Sequence, residues 1–165
     1  MAALLLAAVR QGDERKVLHF QEIGDGAFTR FLPLVGSLAA GMPFHGLAAQ
    51  GLGDVESLDW VEVPTSLAGR NRFVVRVAGD SMEPALNIGD FAVFEYHRRP
   101  RRDGQVVIAN LPEFGMTESG VEAIKRIRQD EENWIFESEN PAHEALVLPK
   151  AESDHPILGV FVGKL

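Results

Sequence analysis

At 165 residues, 45% hydrophobic and 24% charged, the chain is long enough to bury a core and has the composition of an ordinary globular protein, one domain with an arm or insertions. Its net charge of −8 argues against a protein whose main business is gripping phosphate backbones. The absence of cysteine excludes disulfides and thiolate nucleophiles, leaves only His and carboxylates as zinc ligands, and fits a cytoplasmic protein.

In chain order, residues 2–22 carry a helical tendency, rich in Ala and Leu and then reading "DERKVLHFQEI", until Gly24 and Gly26 break it. The apolar run Ala2–Val9 is far short of the ~20 residues that span a membrane, and it lacks the preceding basic residues of a signal peptide. No membrane association is therefore expected. Residues 27–56 hold Pro33, Gly36, Gly41, Pro43, Gly46, Gly51 and Gly53 and read as an irregular arm crossing the domain surface. From Leu58 the pattern becomes period two and β-branched. "LDWVEVP", "NRFVVRVAG", "FAVFEY", "GQVVIAN", "VEAIKRIRQ", "NWIFESE" and "HPILGVFVGKL" read as seven strands. "RRPRRDG" and "DEEN" read as hairpin turns. This spacing indicates a mostly β domain of the sandwich or barrel kind.

Two segments carry chemistry. In "GDSMEPAL", Ser81 precedes a Glu-Pro turn; it reads equally as the N-cap of a short helical turn and as a nucleophile presented by backbone N–H groups that hold an oxyanion. A serine hydroxyl needs a base. The five histidines, His19, His45, His97, His143 and His155, stand in no recognisable triad context and read as exposed or capping residues. Lys125, in "VEAIKRIRQ", is the stronger base. Strand alternation puts it on one face with Val121, Ala123 and Ile127, an otherwise apolar face. At the ordinary lysine pKa of about 10.4 only roughly one amine in 2500 is neutral at pH 7; desolvation lowers that pKa by up to about 3–5 pH units. Beside this stands the plain reading of a lysine snorkelling to water from a sheet edge.

Taken with "LPLVGSLAAG", "VAGDSMEPALNIGDFAVF", "DGQVVIA", "AIKRI", "SENPAHEALVL" and "ILGVFVG" in that order, these segments resemble the self-cleaving serine proteases of the LexA and UmuD type, from about Phe31 to Leu165. The resemblance implies a LexA/UmuD-like β-sandwich or barrel-like domain. It divides the chain into a helical segment 1–30, a mobile cleavage arm 31–56 and a Ser-Lys protease domain 57–165. It implies Ser81 as nucleophile, Lys125 as general base, the Ala40–Gly41 bond as the site of cut, and the backbone N–H groups of Asp80 and Ser81 as oxyanion hole. No cofactor is implied. The implied partners are the chain itself, as substrate and as a homodimer; a RecA–single-stranded DNA filament formed on DNA damage; and a DNA polymerase or a DNA-binding domain outside this chain. The small residues Ala39, Ala40 and Gly41 suit a backbone that must bend into a tight site.

Two features depart from the family pattern. Lys125 lies 44 positions after Ser81, longer than is common, with the excess around Leu111–Gly120. Only about 35 residues precede the cleavage segment, too few for the helix-turn-helix that family repressors carry there. The competing readings are a type I signal peptidase, which would need a membrane anchor and would leave "LPLVGSLAAG" unexplained; a docking module in which the protease fold is a dimerisation surface, with "PILGVFVGKL" pairing across a two-fold axis; and a DNA-binding repressor whose Arg98, Arg99, Arg101 and Arg102 meet phosphate, a cluster that reads more simply as a solvated hairpin turn.

Overall fold

The period-two segments form strands, and those strands form one sheet. The computed structural model describes residues 17–35, 58–96, 99–111, 121–151 and 157–165. Among these, ten strands occur: β1 (Val17–His19), β2 (Phe31–Val35), β3 (Asp59–Glu62), β4 (Arg72–Arg76), β5 (Phe91–Tyr96), β6 (Val106–Leu111), β7 (Val121–Gln129), β8 (Asn133–Glu137), β9 (Leu146–Pro149) and β10 (Ile157–Lys164). They hydrogen-bond in the order β1-β3-β2-β4-β5-β10-β6-β7-β8-β9. The domain is mostly β, as expected, but it is a single open sheet rather than a closed barrel or two separate sheets.

Three expectations are corrected. The helical tendency of residues 2–22 does not extend through the described part of that segment: Val17–His19 pairs with β3, and two short 3-10 turns, Phe20–Glu22 and Gly24–Gly26, come directly after it. Val17 and Leu18 oppose Val61 and Trp60, so cross-strand burial overrides local helix preference. The arm is not irregular from its start. Phe31–Val35 is a strand, antiparallel to β3 and parallel to β4; Pro33 within it hid the pattern. Finally, β5 and β6 are not neighbours across "RRPRRDG": β10 lies between them, antiparallel to both. β10 fits there because Gly159 lets the backbone approach closely; a Cβ at that position would stand 3.0 Å from the Glu95 carbonyl and 3.4 Å from the Phe73 ring.

Both faces of the central strands are buried. Phe73 and Val75 join Ala92, Phe94, Tyr96, Val106, Ile108, Ile124, Met82 and Leu86 on one side. Val74 joins Leu32, Val61, Val63, Phe91 and Val93 on the other. A further cluster under β6–β8 contains Val107, Ala109, Leu111, Ile127 and Phe136, with Ile157 and Val160 of β10. This explains the continuous apolar runs "FVV" and "FAVF", which alternation alone does not.

Candidate functional site

The Ser81 turn leaves β4 at Arg76 and is held by its apolar members. Val77 N–H donates to the Asp90 carbonyl and Gly89 N–H to the Val77 carbonyl, both at 2.8 Å, closing the base of the loop. Met82 is 1% exposed and Leu86 3%, both in the cluster with Phe73 and Phe94. Between them runs a series of turns, with Glu83 N–H to the Asp80 carbonyl at 3.1 Å, Leu86 N–H to the Met82 carbonyl at 2.8 Å, and a cis peptide at Glu83–Pro84. Ser81 therefore does not cap a helical turn. Among the described residues its hydroxyl has no hydrogen-bond partner, and the N–H groups of Asp80 and Ser81 are not donated to any acceptor.

Lys125 lies in the middle of β7, directly opposite Val107 of β6. Ala123 and Ile127, two positions to either side, pack with Val107 and Phe136, so the apolar face expected around Lys125 is present at these positions. Lys125 is half-buried. Desolvation pulls its pKa below the ordinary lysine range, and the negative charge of Asp80 partly opposes this. Nζ donates to Ser138 Oγ at 2.8 Å.

The segment after β8 connects the serine turn to the lysine strand. β7 and β8 pair with Arg126 opposite Glu137; one step further along the same register puts Ser138 opposite Lys125. Two residues on, Asn140 N–H donates to the Ser81 carbonyl at 2.9 Å, and Asn140 Nδ2 to the Asp80 carbonyl at 3.2 Å. His143 Nε2 then meets Asp80 Oδ1 at 2.8 Å. Asp80 and His143 side chains are 53% and 41% exposed, so this pair adds little stability; its effect is to fix where the Asp80 charge sits. Beside Lys125, Arg126 pairs with Glu139 and donates to the Gly104 carbonyl at 2.8 Å.

The structure thus places Ser81, Asp80 and Lys125 around one segment, 138–143. Ala40 and Gly41 lie outside the described residues, as do His45, His97 and His155. Reading from sequence missed Ser138, Asn140 and His143 as neighbours of the site. The available signal was register: once β7 and "NWIFESE" are paired through "DEEN", Ser138 falls opposite Lys125. Arg101 and Arg102 are exposed and donate their main-chain N–H groups to Gln105 Oε1 in the turn before β6. Among the described residues no group of three or more His, Asp or Glu side chains could hold a metal ion. No helix there is long and apolar enough to cross a membrane.

Similar sequences are found among LexA repressors. The chain is 31% identical over 143 residues to a LexA repressor of Acidiphilium cryptum, covering 86% of this chain and 56% of the relative. It is 29% identical over 157 residues to a LexA repressor of Gluconobacter oxydans (93% and 60%), and 27% identical over 134 residues to one of Bacillus mycoides (79% and 58%). The chain thus spans less than two thirds of the length of these relatives. The Peptidase S24-like family profile matches residues 33–162, across the serine turn and the lysine strand alike; the chain belongs to the Peptidase S24-like family.

Proposed function

We propose that the chain is a self-cleaving serine peptidase in which Ser81 is the nucleophile, Lys125 the general base and the Ala40–Gly41 bond the substrate. The observation that carries this reading is the convergence of the Asp80–Ser81 turn and Lys125 on the segment 138–143, within a chain of a peptidase family. A half-buried lysine with a lowered pKa is the type of group that takes a proton from a serine near neutral pH.

In the acylation step Ser81 Oγ attacks the Ala40 carbonyl carbon and passes its proton to neutral Lys125 Nζ. The oxyanion is received by the free N–H groups of Asp80 and Ser81. Collapse breaks the C–N bond, and the Lys125 ammonium returns the proton to the Gly41 nitrogen. Water, deprotonated by the again neutral amine, hydrolyses the Ala40 ester.

Strand β2 supports self-cleavage. It runs parallel to β4, with Leu34 opposite Val74 and Val35 opposite Val75, so both strands run toward the same end of the sheet. The offset is 40 residues, and Ala40–Gly41 stands at the same offset from Asp80–Ser81. Five residues from Val35 to Ala40 reach at most about 17 Å, and attachment in one chain gives a high effective concentration. Control then lies in the docked population of the arm and the protonation of Lys125. A RecA–single-stranded DNA filament would activate by favouring the docked state. The similarity to LexA repressors favours a DNA-damage or phage-type regulatory setting, with a DNA-binding domain outside this chain. A homodimer or polymerase-docking role is compatible with the same fold.

Intact-mass spectrometry at neutral and alkaline pH tests the reading. Fragments ending at Ala40 and beginning at Gly41 are expected, forming faster at high pH. Ser81→Ala and Lys125→Ala should each lower the rate by at least ~10³-fold. Cleavage at the wild-type rate in Ser81→Ala would sink the assignment.

A further inference from the structure

We infer that Ser138 is a positioning residue for the general base, holding Lys125 Nζ by its hydroxyl so that the amine lone pair is directed to Ser81; the inference rests on the dyad proposed above. The hydroxyl accepts from Nζ at 2.8 Å. Ser138 directly follows β8, whose last pair with β7 is Glu137 opposite Arg126, so continuing that register by one step brings its hydroxyl to Lys125. Within a further two residues the same segment binds the Ser81 carbonyl through Asn140 N–H. The reach of the lysine and the place of the serine turn are therefore set by one short stretch of backbone.

A lysine side chain has four rotatable bonds, and a neutral amine has two N–H groups and one lone pair. With one N–H committed to Ser138 Oγ, Nζ is fixed in position and its rotation is restricted. Nothing on the apolar side, where Val107 stands opposite, can do this. The other polar groups nearby are engaged elsewhere: Arg126 with Glu139, Arg128 with Glu137, and Asp80 with His143. The Ser138 hydroxyl also solvates the ammonium form, so its removal has two separable effects. Orientation is lost at every pH, and the charged form is disfavoured, which moves the titration of Lys125 to lower pH.

The experiment is the first-order rate of self-cleavage from about pH 6 to 11 in wild type, Ser138→Ala, Ser138→Thr and Ser138→Val, with thermal melts of each. Ser81→Ala and Lys125→Ala serve as controls. Ser138→Ala should lower the high-pH plateau by about 10²-fold and move the midpoint to lower pH. Ser138→Thr should restore the plateau and Ser138→Val should not. The Thr and Val variants have the same shape, so they decide the matter if the Ala variant melts early. A plateau and midpoint unchanged in Ser138→Ala and Ser138→Val, with both controls inactive, overturns the positioning role and leaves the dyad standing. Equal loss in Thr and Val overturns it as well, because shape and not the hydroxyl would then be required. Cleavage that persists in Ser81→Ala but vanishes in Ser138→Ala would make Ser138 the nucleophile and overturn both readings.

Discussion

The two sides of the candidate site are built by different means. Lys125 stands on a nine-residue strand whose residues Val121–Arg126 pair with β6 and Arg126–Gln129 with β8, with Lys125 itself paired to Val107. Its position is fixed by main-chain hydrogen bonds that do not depend on any one side chain. Ser81 stands in a run of turns that belongs to no strand, and its position depends on two buried side chains, Met82 and Leu86, and on contacts from the segment after β8. A base on a ladder needs only a face that is partly dry. A nucleophile needs an exposed hydroxyl and free backbone donors beside it, and a strand would commit those donors to a neighbour. The irregular turn is the structural cost of keeping them free.

The contrast predicts an inversion between stability and activity. Phe136→Ala, beneath the β7–β8 ladder, removes a fully buried ring and should cost ~3–5 kcal/mol. Met82→Ala should cost about 2–5 kcal/mol. The cleavage rate per folded molecule should nevertheless fall more in Met82→Ala, because Met82 is the anchor next to Ser81, whereas the ladder retains Lys125 without Phe136. Urea titrations give the two stabilities and quenched time courses the two rates. A larger rate loss in Phe136→Ala would remove the distinction between the two sides.

A smaller perturbation addresses the link between them. Asn140→Ala deletes the side-chain bonds to the Asp80 carbonyl and from Ala142 N–H but keeps the Asn140 N–H bond to the Ser81 carbonyl. Stability should fall by about 1 kcal/mol and cleavage by roughly tenfold, with no change in its pH midpoint, since Lys125 and Ser138 are untouched. A moved midpoint would mean that Asn140 acts on the lysine rather than on the turn.

The strands from β3 to β8 were legible because each buries one face or two and is bounded by turn residues. The boundaries of β5 and β7 match the sequence reading residue for residue. Asp130 in "DEEN" closes its turn by accepting from Glu132 and Asn133 N–H, a local signal that sequence carries well. What was not legible is non-local. The place of β10 between β5 and β6 depends on pairing partners some 50 to 70 residues away. β1 has only three residues, and β2 contains a proline. For the site, "GDSME" and "AIKRI" singled out Ser81 and Lys125, while Ser138 and His143 are ordinary residues until register and the turn bring them to Lys125 and Asp80. The proposed cleavage bond, Ala40–Gly41, lies outside the described residues, and its proposal rests on the sequence and on the parallel run of β2 and β4.

The smallest expected effect concerns the energetic cost of keeping the base on the ladder. In the folded state the Lys125 pKa lies below its unfolded value of about 10.4. Between the two values the unfolded chain binds more protons than the folded one, so stability rises with pH across that window and is flat below it. Lys125→Met removes the half-buried charge and keeps the apolar stem. At pH 7 it should be more stable than wild type, by no more than roughly 1 kcal/mol because solvent and Asp80 both relieve the penalty, which is ~2–4 °C in Tm. The gap should close as pH approaches 10, where the wild-type amine also becomes neutral. A difference that widens with pH would place the lysine pKa above its ordinary value, and Lys125 would then be held as an ammonium by Asp80 rather than kept ready as a base.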